Sequence, residues 1–186
     1  MQLTFNTSIR LLSKLVVIAT LLLIFAGALI KSHEVGLSVP DWPTSYGKQM
    51  FSFPLSEMVG GIFYEHGHRV FATIVGFLTL VLAVLIGFSN QPQWVKKTSL
   101  LALILVVSQG LLGGMTVLYF LPPPISILHG ILAQTFFALT IFISYSQSKI
   151  RTKKQKLSSV PYMRRGAVIL ASLVYFQLIL GALMRH

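Results

Sequence analysis

The chain has 186 residues, of which 54% are hydrophobic and only 10% are charged, and its mean hydropathy is +0.78. This composition excludes an ordinary soluble domain and is typical of membrane helices. The net charge of +11 does not indicate nucleic-acid binding, because the basic residues lie in short loops between apolar runs. The sequence contains no cysteine, which excludes disulfides, thiolate metal sites and thioether attachment of a cofactor.

Five apolar runs are long enough to cross a bilayer, which takes about 20 residues in a helix. They are residues 11–30, 64–88, 98–120, 125–145 and 166–184. Basic residues concentrate before the first run and in the loops after the second and fourth runs. By the positive-inside rule, this places the amino terminus in the cytoplasm and the carboxyl terminus outside. The sequence therefore predicts an all-α, polytopic membrane helix bundle.

A short motif recurs at the ends of the first and fifth runs. Residues 27–31 and residues 181–185 both read Gly-Ala-Leu-apolar-basic, and membrane proteins often repeat whole helix bundles. We therefore expect a four-helix transmembrane unit over residues 1–148 and a basic cytoplasmic linker over residues 149–165. Residues 166–186 would then be the first span of a second unit that the sequence truncates.

The longest loop, residues 31–59, lies on the outer side, and its prolines and glycines make it rich in turns. The aromatic residues Trp42, Tyr46, Phe51 and Phe53 suit the headgroup interface. The loop is either a segment that lies on the membrane or a lid over a cofactor or substrate.

The start of the second run concentrates ionisable residues: Glu65, His66, His68 and Arg69. Such groups at the edge of a membrane segment are costly and are functional candidates. Glu65 and His68 are three residues apart and share a helix face, whereas His66 points nearly the opposite way. Only one of the two histidines can therefore face the interior of the bundle.

His129 lies one turn inside the fourth run, which leads from outside to inside like the second run. His68 and His129 therefore lie at matched depth near the outer face. Facing histidines can supply both axial ligands of a haem iron, and this is one interpretation; a proton relay and incidental histidines are the alternatives. The glycines of the third run, at positions 110, 113 and 114, are assigned to helix packing.

Several of these motifs together resemble the haem A synthase family. They are Glu65-x-x-His68-Arg69, Pro-Asp-Trp-Pro at residues 40–43, His129 and Gly-Ala-Leu-Met-Arg-His at residues 181–186. The resemblance covers this whole chain but about the first half of a family member, which has eight spans in two four-helix halves with a histidine pair in each. It implies oxidation of a ring methyl of haem O to the formyl group of haem A for cytochrome oxidase biogenesis. Water is the implied source of oxygen.

The resemblance also implies roles residue by residue. His68 and His129 would be the metal ligands of a bound haem b, and haem O would be the substrate. Glu65 would be a catalytic carboxylate; its alternative is a salt bridge to Arg69 or a hydrogen bond that fixes the outer loop. Arg69 would pair with a haem propionate, because a guanidinium group binds carboxylates bidentately.

The sequence departs from the family in the outer loop, where Val39 and Ser45 occupy the positions of two cysteines that many members carry. The resemblance places the protein in the bacterial plasma membrane, with haem O synthase and cytochrome oxidase assembly factors as partners, and leaves a homo-oligomer open. Two other classes stay open. A membrane cytochrome b that only transfers electrons would not need Glu65, and a repeat-built transporter should bind no haem.

Overall fold

A computed structural model describes residues 2–148 and 161–184 of the chain. Five α-helices form most of this part: α1 (Gln2–Ser32), α2 (Gly61–Gly87), α3 (Gln93–Leu118), α4 (Pro123–Ser146) and α5 (Pro161–Met184). Two short 3-10 turns, Met50–Ser52 and Leu55–Glu57, lie between α1 and α2. All five helices are long and apolar enough to cross a membrane. The predicted all-α membrane bundle is therefore confirmed.

The helices begin earlier than the apolar runs suggested. Helix α5 starts at Pro161, inside the segment predicted as a linker, and α4 starts at Pro123. Proline is tolerated in the first turn of a helix, where its missing N–H leaves no hydrogen bond unmade. Hydropathy locates the apolar centre of each helix and misses such polar first turns. Residues 149–160 of the predicted linker lie outside the described residues, and the division into three regions stays a prediction.

Helices α1 to α4 form a closed ring. Helix α1 packs against α2 and α4, and α3 packs against the same two helices. Helix α5 lies outside the ring against α4, where the hydroxyl groups of Thr135 and Tyr175 are 2.7 Å apart. Nearly every described side chain of α5 is exposed, so the ring is the part of the fold that can bury a site.

Along the helix axes, the apolar core fills the end of the ring that lies next to the α2–α3 loop. We call this end the inner half. The outer half lies next to the α1–α2 and α3–α4 loops. The buried core residues are Ile9, Val16, Ala19, Val75, Leu82, Ile86, Val95, Ala102, Phe136 and Ile143. Buried hydroxyl groups here bond to their own helix: Thr20 donates to the Val16 carbonyl at 2.7 Å, and Thr79 donates to the Val75 carbonyl at 2.8 Å. The inner half is thus a packed core with satisfied polar groups.

The loop between α1 and α2 folds back over the outer end of the ring. Ser45 and Phe53 are buried, and the indole of Trp42 lies against Gly114 of α3. Phe53 lies inside the protein, which contradicts its predicted headgroup position. Trp42 is half-buried and Tyr46 is exposed, so their position at the headgroups stays a prediction. Phe51 is exposed, and its position at the headgroups stays a prediction.

Candidate functional site

Glu65 is held between α2 and the outer loop, with only 4% of its surface exposed. Its Oε1 accepts a hydrogen bond from Nη2 of Arg69 at 2.6 Å, and its Oε2 accepts one from the backbone N–H of Val39 at 2.9 Å. Burying a carboxylate is costly unless it is paired in this way. The structural alternative for Glu65, a salt bridge and a bond to the loop, is therefore present; it leaves the catalytic role untested.

Arg69 gathers the carbonyl groups of the same loop. Its Nη2 donates to the Val39 carbonyl at 2.7 Å. Its Nη1 donates to the carbonyls of Asp41 at 2.6 Å and Thr44 at 3.2 Å. Both terminal nitrogens are thus engaged with the loop and with Glu65. Pairing with a haem propionate stays a prediction, and it would have to use Nε or displace a loop carbonyl.

His66 faces the outer loop rather than the interior of the ring. Its Nδ1 lies 2.9 Å from Oγ of Ser45, and its ring centroid is 4.7 Å from that of Phe53. The loop therefore supplies both a polar and an aromatic partner. His66 and His68 have different surroundings, as their spacing on the helix predicted.

His68 packs against α1 in the outer half of the ring. A Cβ atom added to Gly27 would lie 3.1 Å from Cε1 of His68, so a larger residue at position 27 would push the imidazole away. Nδ1 of His68 is buried and has no hydrogen-bond partner among the described residues. Such an unpaired buried group is costly and calls for a ligand or another explanation.

His129 of α4 repeats this arrangement against α3. A Cβ atom added to Gly113 would lie 3.3 Å from Cε1 of His129, and Nδ1 of His129 is also buried without a partner in the described part of the chain. Gln109, one helical turn before Gly113, donates from Nε2 to the backbone carbonyl of His129 at 3.0 Å. Gly113 and Gly114 make close contacts, as their assignment to packing predicted, whereas a Cβ atom at Gly110 would meet no described atom within 4 Å.

Buried polar atoms without partners concentrate in the outer half. Besides the two imidazoles, they are Oε1 of Gln109 and Oγ of Ser126, one turn before His129. Within residues 2–148 and 161–184 the remaining one, Oγ of Ser148, lies beyond α4 at the opposite end. The outer half therefore has the character of a ligand site, and the inner half does not.

The imidazoles of His68 and His129 are the kind of nitrogen ligand that haem iron takes from a protein. Across the described ranges, no group of three or more His, Cys, Asp or Glu residues could hold a metal ion. A structural zinc ion takes about four protein ligands, whereas haem iron takes its axial ligands alone from the protein. His68 and His129 lie on facing helices, and each packs against a glycine. Two such imidazoles match the ligand number of haem iron and not that of zinc.

The outer loop above these residues is braced by Asp41. Its carboxylate accepts hydrogen bonds from the Thr44 hydroxyl and from the backbone N–H groups of Tyr46 at 2.7 Å and Gly47 at 2.9 Å. Burial acts to raise the pKa of Asp41, but these hydrogen bonds outweigh it and hold the pKa below its ordinary value. The loop is thus a folded element that carries Trp42 onto α3.

Two residues of the site, Gln109 and Gly27, are not predicted from the sequence. A polar side chain inside an apolar run, such as that of Gln109, is a usable signal. Gly27 belongs to the repeated motif at residues 27–31. Its contact with His68 joins residues that are far apart in the chain, and no local pattern could reveal it.

The fold and the site define a class: a multi-pass membrane helix bundle with a paired-histidine site in one half of the ring. The chain belongs to the cytochrome oxidase assembly protein family, which it matches over residues 10–186. This confirms the family that the motifs resembled.

Three similar curated proteins carry the name Heme A synthase. That of Alkalihalophilus pseudofirmus is 26% identical over 155 residues, which cover 81% of this chain and 51% of the relative. That of Shewanella oneidensis is 27% identical over 183 residues, with 91% and 54% covered. That of Shouchella clausii is 27% identical over 175 residues, with 91% and 56% covered. The chain thus spans about half the length of these relatives, and no solved structure matches it at a significant level.

Proposed function

We propose that this chain provides a haem-binding unit of a haem A synthase, which oxidises a ring methyl of haem O to a formyl group. Membership of the family and the name shared by the relatives support this reaction, with water as the expected source of oxygen. The observation that carries the proposal is the pair of imidazoles of His68 and His129 in the outer half of the ring, each packed against a glycine of a neighbouring helix.

In this proposal, His68 of α2 and His129 of α4 hold the iron, because neutral imidazole is a good haem ligand. Gly27 and Gly113 leave each ring room beside its neighbouring helix. Haem bound here supplies one-electron redox chemistry. We assign haem b as the resident cofactor and haem O as the substrate.

Glu65 is the carboxylate that we assign to proton transfer. It lies three residues before His68 on α2, so both side chains can face the same ligand. Oxidising a methyl group with water releases electrons, which an external one-electron acceptor must take up, together with protons; a carboxylate that accepts a proton acts as a general base. Arg69 and the Val39 N–H hold the carboxylate in place, which orients it before the reaction.

The outer loop acts as a lid in this proposal. Trp42 rests on Gly114, and Arg69 ties three loop carbonyls to α2. The distribution of basic residues favours an orientation with this end outside the bacterial plasma membrane. Haem O synthase and cytochrome oxidase assembly factors are the expected partners, because one supplies the substrate and the others take the product.

The haem site is tested on the purified full-length protein by a pyridine haemochrome spectrum, which separates haems O, A and B. His68→Ala and His129→Ala should each lose the haem of this site, because alanine cannot ligate iron. The matched control is His33→Ala, since His33 is exposed at the end of α1 and should be dispensable. Full haem content in both alanine variants would refute the assignment.

The role of Glu65 is tested with Glu65→Gln, which keeps the shape and can still hydrogen bond but removes the charge. We expect normal haem content, less haem A, and accumulation of haem O or a hydroxylated intermediate. An unchanged yield of haem A would remove Glu65 from the mechanism. Loss of all haem would instead assign Glu65 to anchoring the outer loop.

A further inference from the structure

The imidazoles of His68 and His129 pack against Gly27 and Gly113, respectively. The residue one helical turn before the glycine differs between the two. On α1, that residue is Leu23, an apolar side chain packed against the core. On α3, the residue one turn before Gly113 is Gln109. A polar side chain inside a membrane helix is costly and is kept for packing against a polar partner or for function. The environments of His68 and His129 are therefore not equivalent.

Gln109 is already joined to His129 by one hydrogen bond. Its Nε2 donates to the His129 carbonyl at 3.0 Å, which anchors the amide beside the residue that carries the ring. Its Oε1 is buried without a partner in the described part of the chain, as is Nδ1 of His129. An imidazole that binds a ligand through Nε2 carries a hydrogen on Nδ1. Oε1 of Gln109 therefore needs a donor, and Nδ1–H of His129 needs an acceptor.

Building on the proposed haem site, we propose that Gln109 is a positioning residue for His129: when haem binds, its Oε1 accepts a hydrogen bond from Nδ1–H and so leaves Nε2 for the iron. Histidines that bind metals almost always donate their second ring N–H to an acceptor, which fixes the tautomer and raises the basicity of the ligand. Leu23 offers no such acceptor to His68. The two axial ligands are therefore unequal, and His129 is the stronger donor.

The test compares Gln109→Met with Gln109→Glu in the full-length protein. Methionine fills a similar volume but neither donates nor accepts strongly, whereas glutamate keeps an acceptor oxygen. Gln109→Met should weaken haemin binding at the His129-dependent site about 10- to 100-fold, the usual loss when such a partner is removed, and should raise the reduction potential of that haem. Gln109→Glu should bind haemin more tightly than Gln109→Met and should keep or lower the potential.

Ser108→Ala is the matched control on the same helix, because the Ser108 hydroxyl donates to the Ile104 carbonyl of its own helix at 3.0 Å. It should leave the affinity and the potential unchanged. The proposal would be overturned if Gln109→Met and Gln109→Glu changed the haemin affinity and the reduction potential equally and in the same direction. Only the bond from Nε2 of Gln109 to the His129 carbonyl would then matter. Unchanged values in both variants would also overturn it. A parent protein without a His129-dependent haem spectrum would refute the haem site itself, and this inference with it.

Discussion

The two halves of the α1–α4 ring bury different kinds of groups. The inner half buries apolar side chains, and buried hydroxyls there, such as those of Thr20 and Thr79, are bonded to their own helices. The outer half contains the imidazoles of His68 and His129, whose Nδ1 atoms have no partner in the described ranges. Apolar packing therefore holds the ring together at one end, and the buried polar groups without partners lie at the other end, where we propose that haem binds.

The same division appears within the motif at the start of α2. The outer loop engages Glu65, His66 and Arg69, while His68 on the inward face makes no hydrogen bond through Nδ1 to any residue described. Glu65, His66 and Arg69 therefore fasten the outer loop to α2, while Nδ1 of His68 has no partner in the described ranges. Variants in either half can test whether packing of the inner half and the proposed haem binding in the outer half are independent.

The largest expected effect on stability comes from the inner half. Phe136 is 3% exposed in the core, so Phe136→Ala opens a cavity. This change costs about 3–5 kcal/mol in soluble cores, and we expect the lower end because lipid or detergent also solvates the phenyl group in the unfolded state. The free energy of unfolding in detergent measures the effect.

The control for that variant is Phe142→Ala. The Phe142 ring is 48% exposed and lies on the helix surface, 5.6 Å from the Trp94 ring between centroids, so we expect a smaller loss. Haem content per folded molecule should be unchanged in both variants. A stable Phe136→Ala protein that loses its haem would contradict the division between the halves.

A smaller effect, on binding rather than on folding, is expected from Gly113→Ala. The new Cβ would lie 3.3 Å from Cε1 of His129 and would push the ring aside. Such overpacking costs about 1–3 kcal/mol, which corresponds to roughly 5- to 150-fold in haem affinity if the imidazole takes up the strain. Haemin titration measures it.

Gly110→Ala serves as the control for Gly113→Ala, because a Cβ at position 110 meets no atom of the described chain within 4 Å. It should bind haem like the parent, and it should gain up to about 1 kcal/mol of helix stability. Equal affinities in the two variants would show that the close contact of Gly113 with the imidazole is unimportant for binding.

The sequence predicted the parts of this architecture that depend on local periodicity. Apolar runs located the five helices, and the spacing of His66 and His68 separated their faces. The sequence did not predict contacts between distant segments. The hydrogen bonds between Ser45 and His66 and between Gln109 and His129 depend on how the loop and the helices pack together. An unpartnered atom, likewise, can be recognised only once its neighbours are known.

The smallest expected effect is an acid-sensitive loosening of the lid through Asp41. Hydrogen bonds to its carboxylate lower the pKa of Asp41 below the ordinary 3.8. Because folding lowers this pKa, the carboxylate's contribution to stability is complete above pH 3.8 and is lost as the pH falls through the lower value in the folded protein. We therefore expect loop protection to be constant at neutral pH and to fall only in strong acid.

Hydrogen exchange of the Tyr46 and Gly47 amides, whose N–H groups donate to Asp41, measures this loosening directly. Asp41→Asn removes the titrating group, so its protection should be lower at neutral pH and should lack the acid transition. Glu57 is another carboxylate of this loop, paired with Lys48 at the surface and not bonded to the two amides, and Glu57→Gln should therefore keep the transition there. An acid transition that survives in Asp41→Asn but disappears in Glu57→Gln would move the pH dependence from Asp41 to the surface pair. Since Asp41 lies in the lid and not in the ring, the unfolding free energy of the inner half should be the same for both variants.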